Sequence, residues 1–247
     1  MLICFALKEE AAPFQKMAAG KSGIFILITG IGRKSAEKFV GEFLAGGASV
    51  PASHRRYALT RQARLVCSLA PPELVLTCGF AGGLNPDLKL GEVVFEISNA
   101  TLTPPLSHPM GEGVRRTGEG LSSKLLAAGA KPAKFFCADR IAITVAEKKK
   151  LREETRADAV EMESAAIHAV CRERGIPCTT VRVISDTANE DLPLDFNQLF
   201  KPDMSLDFGK LAWAIAKSPG KIGALQRLQK NCQSAAEQLA NVLAKLV

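Results

Sequence analysis

The chain is organised around one stretch, Val160-Glu161-Met162-Glu163-Ser164-Ala165-Ala166, which continues to Thr179-Thr180-Val181-Arg182-Val183-Ile184-Ser185-Asp186. The first half, with its small residues, predicts the start of a helix, and Gly175 and Pro177 predict where that helix ends. The second half predicts a strand, because branched apolar residues alternate along it. Glu163, Arg182 and Asp186 then lie at element ends or inside apolar segments, where charged side chains are rare unless they are paired or functional.

Strand and helix patterns alternate on both sides of this stretch. Strands are predicted at residues 2–7, 25–28, 74–77 and 134–138, and helices at 34–44, 59–69, 122–128 and 146–155. Residues 78–83, which are rich in glycine, predict a turn, and loops are predicted at 46–56 and 103–113. The alternation predicts an α/β fold.

Length and composition set the limits on the class of protein. The 247 residues suit one large domain or two small ones, and the hydrophobic fraction of 47% is ample for a core. No apolar run approaches the roughly 20 residues that a membrane span needs. The seven cysteines are scattered without a C-x-x-C pair, which favours buried thiols in the reducing cytoplasm over disulfides or a metal site. The three histidines have no ligand-like spacing, and we expect structural or surface roles for them.

The net charge of +7 raises the question of a polyanionic partner. Much of the basic charge is clustered at residues 54–56, at Arg61 and Arg64, at Lys148-Lys149-Lys150 and in the C-terminal third. Aromatic residues make up only 6% and do not interleave with these clusters, so a solvated face is favoured over nucleic-acid binding. Attraction to anionic substrates or to a lipid surface stays open.

Four blocks of sequence carry a resemblance to a known family. They are residues 6–10 (ALKEE), 29–32 (TGIG), 78–84 (CGFAGGL) and the opening stretch with its VEME and RVISD segments. Their content and order resemble the nucleoside phosphorylase/nucleosidase superfamily, above all its 5'-methylthioadenosine/S-adenosylhomocysteine nucleosidase branch. The resemblance implies one domain, residues 1–247, with a mixed twisted sheet flanked by helices, in which residues 206–247 form a C-terminal helical extension.

The resemblance also implies a reaction, the cleavage of the N-glycosidic bond of a purine ribonucleoside. Asp186 would protonate the purine, a task that favours a carboxyl with a raised pKa, and Glu10 would activate water with Arg182 beside it. Glu163 would accept the two ribose hydroxyls, and Met162 would pack on the sugar. The purine would be contacted by Phe80, Ala81, Gly82, Ile141 and Ala142. Asp139 is a weaker candidate, because a turn residue explains it equally well.

Water is favoured over phosphate as the nucleophile. Thr77 stands where phosphorylases of the superfamily have an arginine, Phe80 stands where they have a hydroxyl, and the Glu10 carboxylate would repel phosphate. Arg33 and Arg182 could supply some positive charge, so phosphorolysis remains the alternative, with phosphate as co-substrate. No metal or organic cofactor is expected. The expected ligand is a small purine nucleoside, and no nucleic acid is expected to bind. The protein is expected to form a homodimer or a higher homo-oligomer.

Two alternatives concern other parts of the chain. The Gly30–Gly32 turn would suit a nucleotide-binding regulatory module, but the third glycine and the following acid of a dinucleotide site are missing. The tail resembles that of hopanoid-associated phosphorylase-like proteins, which makes an adenosyl-lipid a further candidate substrate. Helices are predicted at residues 206–215 and 222–246, and the second carries a narrow apolar stripe from Leu225 to Leu246. Such a stripe favours packing on the domain or a partner subunit over docking on a membrane surface.

Overall fold

The structure, a computed structural model, describes residues 1–46, 71–97, 113–201 and 207–247. The predicted helix at residues 59–69 and nearly all of the loops predicted at 46–56 and 103–113 lie outside these ranges. Helices and strands are numbered in the order in which they occur along the described chain.

One sheet forms the centre of the molecule. Its strands are β1 (Leu2–Phe5), β2 (Phe25–Ile28), β3 (Val75–Gly83), β4 (Val93–Ile97), β5 (Lys131–Pro132), β6 (Phe135–Cys137), β7 (Ala159–Glu161) and β8 (Cys178–Asp186). They lie in the order β2-β1-β3-β8-β4-β5, and β7 joins the end of β3 to β6. The pairs β1/β2, β1/β3 and β3/β8 are parallel, whereas β4/β8 and β3/β7 are antiparallel. The predicted α/β fold with a mixed sheet is therefore confirmed.

Helices cover both faces of this sheet. The helices of the described ranges are α1 (Lys8–Met17), α2 (Arg33–Leu44), α3 (Gly113–Ala128), α4 (Val145–Thr155), α5 (Ser164–Glu173), α6 (Phe208–Lys217) and α7 (Ile222–Ala244). On one face, α1, α3 and α7 bury side chains such as Phe14, Leu125 and Leu239 against the strands. On the other face, α2 and α5 do the same with Val40 and Ile167. Because both faces are covered, apolar residues are expected along the central strands, and Arg182 and Asp186 of β8 stand out as buried charges.

Two predictions from the central stretch and its glycine-rich partner are wrong. The helix does not start at Val160: residues 159–161 form β7, and the helix begins only at Ser164. The alternation of Val160 and Met162 with the two glutamates has the period of a strand, and this signal outweighs the small residues that follow. Residues 78–83 are not a turn but the second half of β3, which continues because β8 pairs with it along its length.

The C-terminal helices divide into a packed part and an exposed part. In α7 the stripe residues Ala235, Leu239 and Val242 are buried, and the helix packs along α1. Leu225 and Leu228, nearer its start, are only partly covered. Packing on the domain is thus confirmed for the C-terminal half of the stripe. The division of the chain at residue 206 stays a prediction.

Candidate active site

The candidate site lies where the carboxyl ends of three parallel strands meet. The end of β1 leads into α1, while the ends of β3 and β8 run side by side, with Gly79 opposite Arg182 and Gly82 opposite Asp186. The register shifts between Ala81 and Gly82, so Ser185 is an extra residue on β8. A bulge of this kind re-aims the side chains that follow it. Here it turns the end of β8 toward the glycines of β3.

Glu10, in the first turn of α1, is 3% exposed. Its Oε2 accepts the N–H of Leu7 at 2.8 Å, and its Oε1 accepts the N–H of Phe80 at 2.9 Å. Burial raises the pKa of this carboxyl to about 7, against the lowering influence of the Arg182 charge and these hydrogen bonds. A carboxyl with such a pKa can accept a proton from water near neutral pH.

Arg182 lies at the centre of the acidic cluster beside Glu10 and forms ion pairs with two glutamates. Its guanidinium is 1% exposed and contacts Glu161 Oε2 at 2.6 Å and Glu163 Oε2 at 3.2 Å. It also donates to the Thr77 hydroxyl at 3.1 Å, while its Nε has no partner among the described residues. The nearby carboxylates hold the pKa of Arg182 above its ordinary value despite its burial. The guanidinium is therefore a permanent cation, already shared between two glutamates.

The two glutamates around Arg182 have opposite protonation tendencies. Burial would raise the pKa of Glu161, but the Arg182 charge, the Ser164 hydroxyl and two backbone N–H groups bring it below the ordinary value. Burial raises the pKa of Glu163, and the negative charge of Glu161 adds to this. Glu163 also accepts the N–H of Gly32 at the start of α2, at 2.9 Å. Glu161 is thus the fixed counterion of Arg182, whereas Glu163 is the carboxyl whose protonation a bound ligand can change.

Asp186 sits at the other end of the site against a buried lysine. Lys148 on α4 is completely buried, and its Nζ lies 2.6 Å from Asp186 Oδ2. The remaining donors of this ammonium bind the carbonyl oxygens of Thr187 at 2.7 Å and Glu190 at 3.0 Å. The Ser185 hydroxyl donates to Asp186 Oδ1 at 2.8 Å. Both oxygens of Asp186 are therefore held in place, one by an ammonium and the other by a hydroxyl.

Two glycines of β3 lie against the carboxyls, and the position of Gly79 requires a glycine. A Cβ on Gly79, whose φ is +144°, would come within 2.7 Å of Glu10 Oε1 and 2.8 Å of Arg182 Nη1. A Cβ on Gly82 would lie 3.2 Å from Asp186 Oδ2. Three residues of extended strand span ~10 Å. Glu10 and Asp186 therefore approach β3 at two positions that lie ~10 Å apart along the strand.

Comparison with known proteins identifies the family. A family model described as the phosphorylase superfamily matches residues 9–217, most of the chain. The chain belongs to the phosphorylase superfamily. The resemblance drawn from the four sequence blocks is thereby confirmed.

Curated relatives within the superfamily include nucleosidases of two kinds. The chain is 30% identical over 140 residues to an aminodeoxyfutalosine nucleosidase from Campylobacter jejuni, and the alignment covers 51% of this chain and 61% of the relative. It is 27% identical over 143 residues to a 5'-methylthioadenosine/S-adenosylhomocysteine nucleosidase from Shewanella halifaxensis, and this alignment covers 51% of the chain and 62% of the relative. The chain therefore spans about three fifths of the length of these relatives.

Solved structures of the superfamily share the fold over nearly the whole chain. The 5'-methylthioadenosine/S-adenosylhomocysteine nucleosidase of Campylobacter jejuni aligns with a TM-score of 0.58 and 17% identity, covering 99% of this chain and 96% of its own. A nucleosidase of the same description from Neisseria meningitidis aligns with a TM-score of 0.57 and 16% identity, over 99% and 96%. At this identity the likeness supports the fold alone.

The structure brings most of the predicted superfamily site residues to one edge of the sheet. Glu10, Glu163 and Arg182 form one cluster, and Asp186 stands beside Gly82. Ala81 and Met162 are buried near them, and Phe80 is partly exposed. Their roles toward a substrate stay predictions.

Ile141 and Ala142 are less available than the sequence suggests. Asn197 occupies both backbone groups of Ile141, accepting from its N–H and donating to its carbonyl, each at 2.9 Å. Ala142 is buried beside Leu84 and Val160. The N–H of Ile141 is therefore already used by Asn197, whereas its carbonyl oxygen keeps a second acceptor site for a ligand.

Two functional candidates, Lys148 and Glu161, are missed by sequence reasoning, and one expectation is wrong. The run of three lysines predicts a solvated basic face, but Lys148 is fully buried, whereas Lys149 and Lys150 are exposed. The signal that could have found it is that Lys148 precedes Leu151 by three residues, on the inward side of α4. Glu161 is missed because a helix starting at Val160 gives it no inward direction.

Arg33 and Asp139, two weaker candidates, pair with each other at the surface. Arg33 Nε lies 3.4 Å from Asp139 Oδ1, and the guanidinium also donates to the carbonyl of Cys137. Within the described ranges, no group of acidic, cysteine or histidine side chains is arranged to hold a metal ion. In those same ranges, no helix combines the length and apolarity needed to cross a bilayer.

Proposed function

We propose that this protein hydrolyses the N-glycosidic bond of a purine ribonucleoside. The observation that carries the proposal is the placement of Glu10 and Asp186 at opposite ends of the Gly79–Gly82 edge. Cleavage of such a bond needs a base for the incoming water and an acid for the departing purine, on opposite sides of the sugar. The two carboxyls approach β3 at glycines that are three residues apart, and the ribose is proposed to bind between them.

Glu10 is the proposed general base. Its pKa of about 7 lets it take a proton from water while a large fraction of it is ionised at neutral pH. The N–H groups of Leu7 and Phe80 fix both of its oxygens, so the carboxylate has one orientation. Arg182, close to Gly79, stabilises the ionised form until a proton arrives.

Asp186 is the proposed acid for the purine. When it gives its proton to a ring nitrogen, the resulting carboxylate is stabilised by the Lys148 ammonium at 2.6 Å. The same contact, together with the Ser185 hydroxyl, holds the Asp186 carboxyl in one orientation, which makes Lys148 a positioning residue for the proposed acid.

Glu163 and Met162 are the proposed ribose contacts. Glu163 uses one oxygen toward Gly32 and the other toward Arg182, and each oxygen retains a further acceptor site for a sugar hydroxyl. Its pKa is raised by burial, so a bound hydroxyl that donates to it would favour the ionised form. Negative charge near the sugar also stabilises the cation-like ribosyl group of the transition state.

Water is preferred over phosphate for an electrostatic reason. Phosphate is a dianion, and bringing it into a buried site requires cations that are not already paired. Arg182 is shared between Glu161 and Glu163, and Arg33 is paired with Asp139 at the surface. The Glu10 carboxylate on the same side would repel phosphate once ionised.

The proposed substrates carry adenine and a substituent at the 5' position. 5'-Methylthioadenosine, S-adenosylhomocysteine and aminodeoxyfutalosine are the candidates that the curated relatives suggest. The test is purine-base release from these three and from adenosine and inosine, measured by chromatography with the purified chain. Turnover of at least one adenine nucleoside supports the proposal. Failure with all five would contradict the proposed substrates.

A further inference from the structure

The segment from α6 to the middle of α7 stands apart from the packed core. No described side chain between residues 209 and 234 is fully buried, whereas Ala235 and Ala236, which follow directly, are 0% and 1% exposed. The main neighbour of α6 among the described elements is the single turn of 3-10 helix, Pro219–Lys221, that joins it to α7. Packing on the sheet therefore accounts for the second half of α7 but not for α6.

The outer side of α6 carries a tryptophan between lysines. Lys210, Trp213 and Lys217 are spaced by three and four residues, which places them on one side of a helix. Trp213 is 62% exposed, the most exposed of the large apolar side chains in the described ranges. The Lys217 Nζ lies 3.7 Å from the centroid of its ring. Lys221, in the 3-10 turn that follows, and Ile222, at the start of α7, are exposed as well, Ile222 to 43%.

The charge of this segment is entirely of one sign. Residues 208–236 contain five basic side chains and no acidic one, in a chain whose total net charge is +7; they are Lys210, Lys217, Lys221, Arg227 and Lys230. A surface that combines such charge with an exposed indole needs a partner that is anionic and offers an apolar layer at the same depth. A bilayer surface with acidic lipids meets both needs.

We propose that the surface formed by Lys210, Trp213, Lys217, Lys221 and Ile222, here called the basic tail surface, docks the protein on an anionic membrane. The indole lies at the level of the headgroups, where its ring is in apolar surroundings and its N–H can meet a polar group. Lys217 and Lys221 keep their ammonium groups among lipid phosphates while their methylene stems cover apolar surface, and Lys210, whose Nζ donates to the Gln198 carbonyl at 3.3 Å, adds positive charge. Each basic residue near such a membrane contributes a favourable electrostatic interaction that salt weakens.

A second copy of the chain is a poorer partner for this surface. In a two-fold symmetric dimer each patch meets the same patch of its partner, so the lysines would face lysines. Nucleic acid would satisfy the charges but makes less use of the exposed Ile222. The basic tail surface is also separate from the face of α7 that packs on α1, so docking needs no unfolding of the helix.

The unique tryptophan allows a direct test on the unmodified chain. Trp213 is the only tryptophan in the sequence, so its fluorescence reports on this surface alone. The probes are vesicles of phosphatidylcholine and vesicles of phosphatidylcholine with phosphatidylglycerol. We expect a blue shift of emission and co-sedimentation with the second kind only, both reversed by high salt.

Matched charge-reversal variants test which residues are responsible. Lys217→Glu/Lys221→Glu should weaken binding to the anionic vesicles at least about tenfold. Lys38→Glu/Lys149→Glu, which changes the net charge equally at exposed positions of α2 and α4, should weaken it less than about threefold. Circular dichroism of each variant verifies that it is folded.

Several results would overturn the proposal. One is the absence of a tryptophan shift and of co-sedimentation with anionic vesicles. Another is an equal loss of binding in both charge-reversal variants, which would mean that net charge alone drives adsorption. A third is self-association, seen by sedimentation velocity, or duplex-DNA binding that the tail variant removes while vesicles are not bound. Because every readout is binding, failure here would leave the proposed reaction untouched.

Discussion

Replacing Lys148 by methionine tests the ion pair that holds Asp186. Methionine keeps most of the volume of the lysine stem but removes the ammonium and its contacts with Asp186, Thr187 and Glu190. Breaking a buried ion pair by removing one partner costs about 3–5 kcal/mol of unfolding free energy, because the other charge is left uncompensated. For a chain of this size, that cost lowers the Tm by roughly 6–20 °C.

The control lies on the same helix. Lys149→Met removes a lysine that is exposed, and we expect it to change the unfolding free energy by less than about 0.5 kcal/mol. The unfolding free energies of both variants are measured by chemical denaturation. The same measurement on Asp186→Asn and on Lys148→Met/Asp186→Asn completes a double-mutant cycle for the ion pair. We expect the double variant to be more stable than the sum of the single effects predicts, by on the order of 2–3 kcal/mol. A Lys148→Met variant as stable as the control, or additive effects, would refute the reasoning.

The remaining predictions concern the two carboxyls and the glycine next to Glu10. Gly79→Ala should destabilise the fold by at least about 1–3 kcal/mol through backbone strain, since the φ of Gly79 is +144°. The added Cβ would also meet the Glu10 carboxyl. Gly41→Ala, which adds a Cβ in open space on α2, should instead stabilise the fold by about 0.5–1 kcal/mol. Thermal melting compares the two glycine variants, and equal effects would contradict the close approach. Because burial raises the folded-state pKa of Glu10 from 4.5 to about 7, the folded state holds an extra proton between these pH values. Stability should therefore fall by up to about 3 kcal/mol as the pH rises through this window, and Glu10→Gln should remove that part of the dependence. Asp186→Asn should lower kcat for purine release at least about 100-fold in a folded protein, and near-normal turnover would take Asp186 out of the mechanism.

The fold class and most of the acidic site could be predicted from the sequence because they rest on local pattern. The strand that ends at Phe5 is an apolar run, and charged residues follow it; the strand that ends at Asp186 contains Arg182 within its run. Parallel strands bring such ends together at one edge of the sheet. The resemblance then singles out Glu10, Glu163 and Arg182, which the structure places in one cluster. Local pattern thus places charges at the ends of elements, and the resemblance assigns them to a site.

What the sequence could not predict depends on long-range contacts. The bulge at Ser185 arises from the pairing of β8 with β3, and no turn signal marks it. The burial of Lys148 depends on α4 packing over the loop after β8, whereas its neighbours Lys149 and Lys150 suggest a solvated run. Glu161 becomes visible as the counterion of Arg182 only once β7 is seen to be a strand.

The proposal that water attacks the sugar is tested most directly by the fate of that sugar. The purified chain is incubated with an adenine nucleoside that it cleaves, in phosphate-free buffer and in phosphate buffer, and the sugar product is identified by mass spectrometry. The account predicts the free ribose derivative in both buffers at similar rates, with turnover lost in Glu10→Gln. Ribose 1-phosphate as the product, with no turnover in phosphate-free buffer, would contradict it.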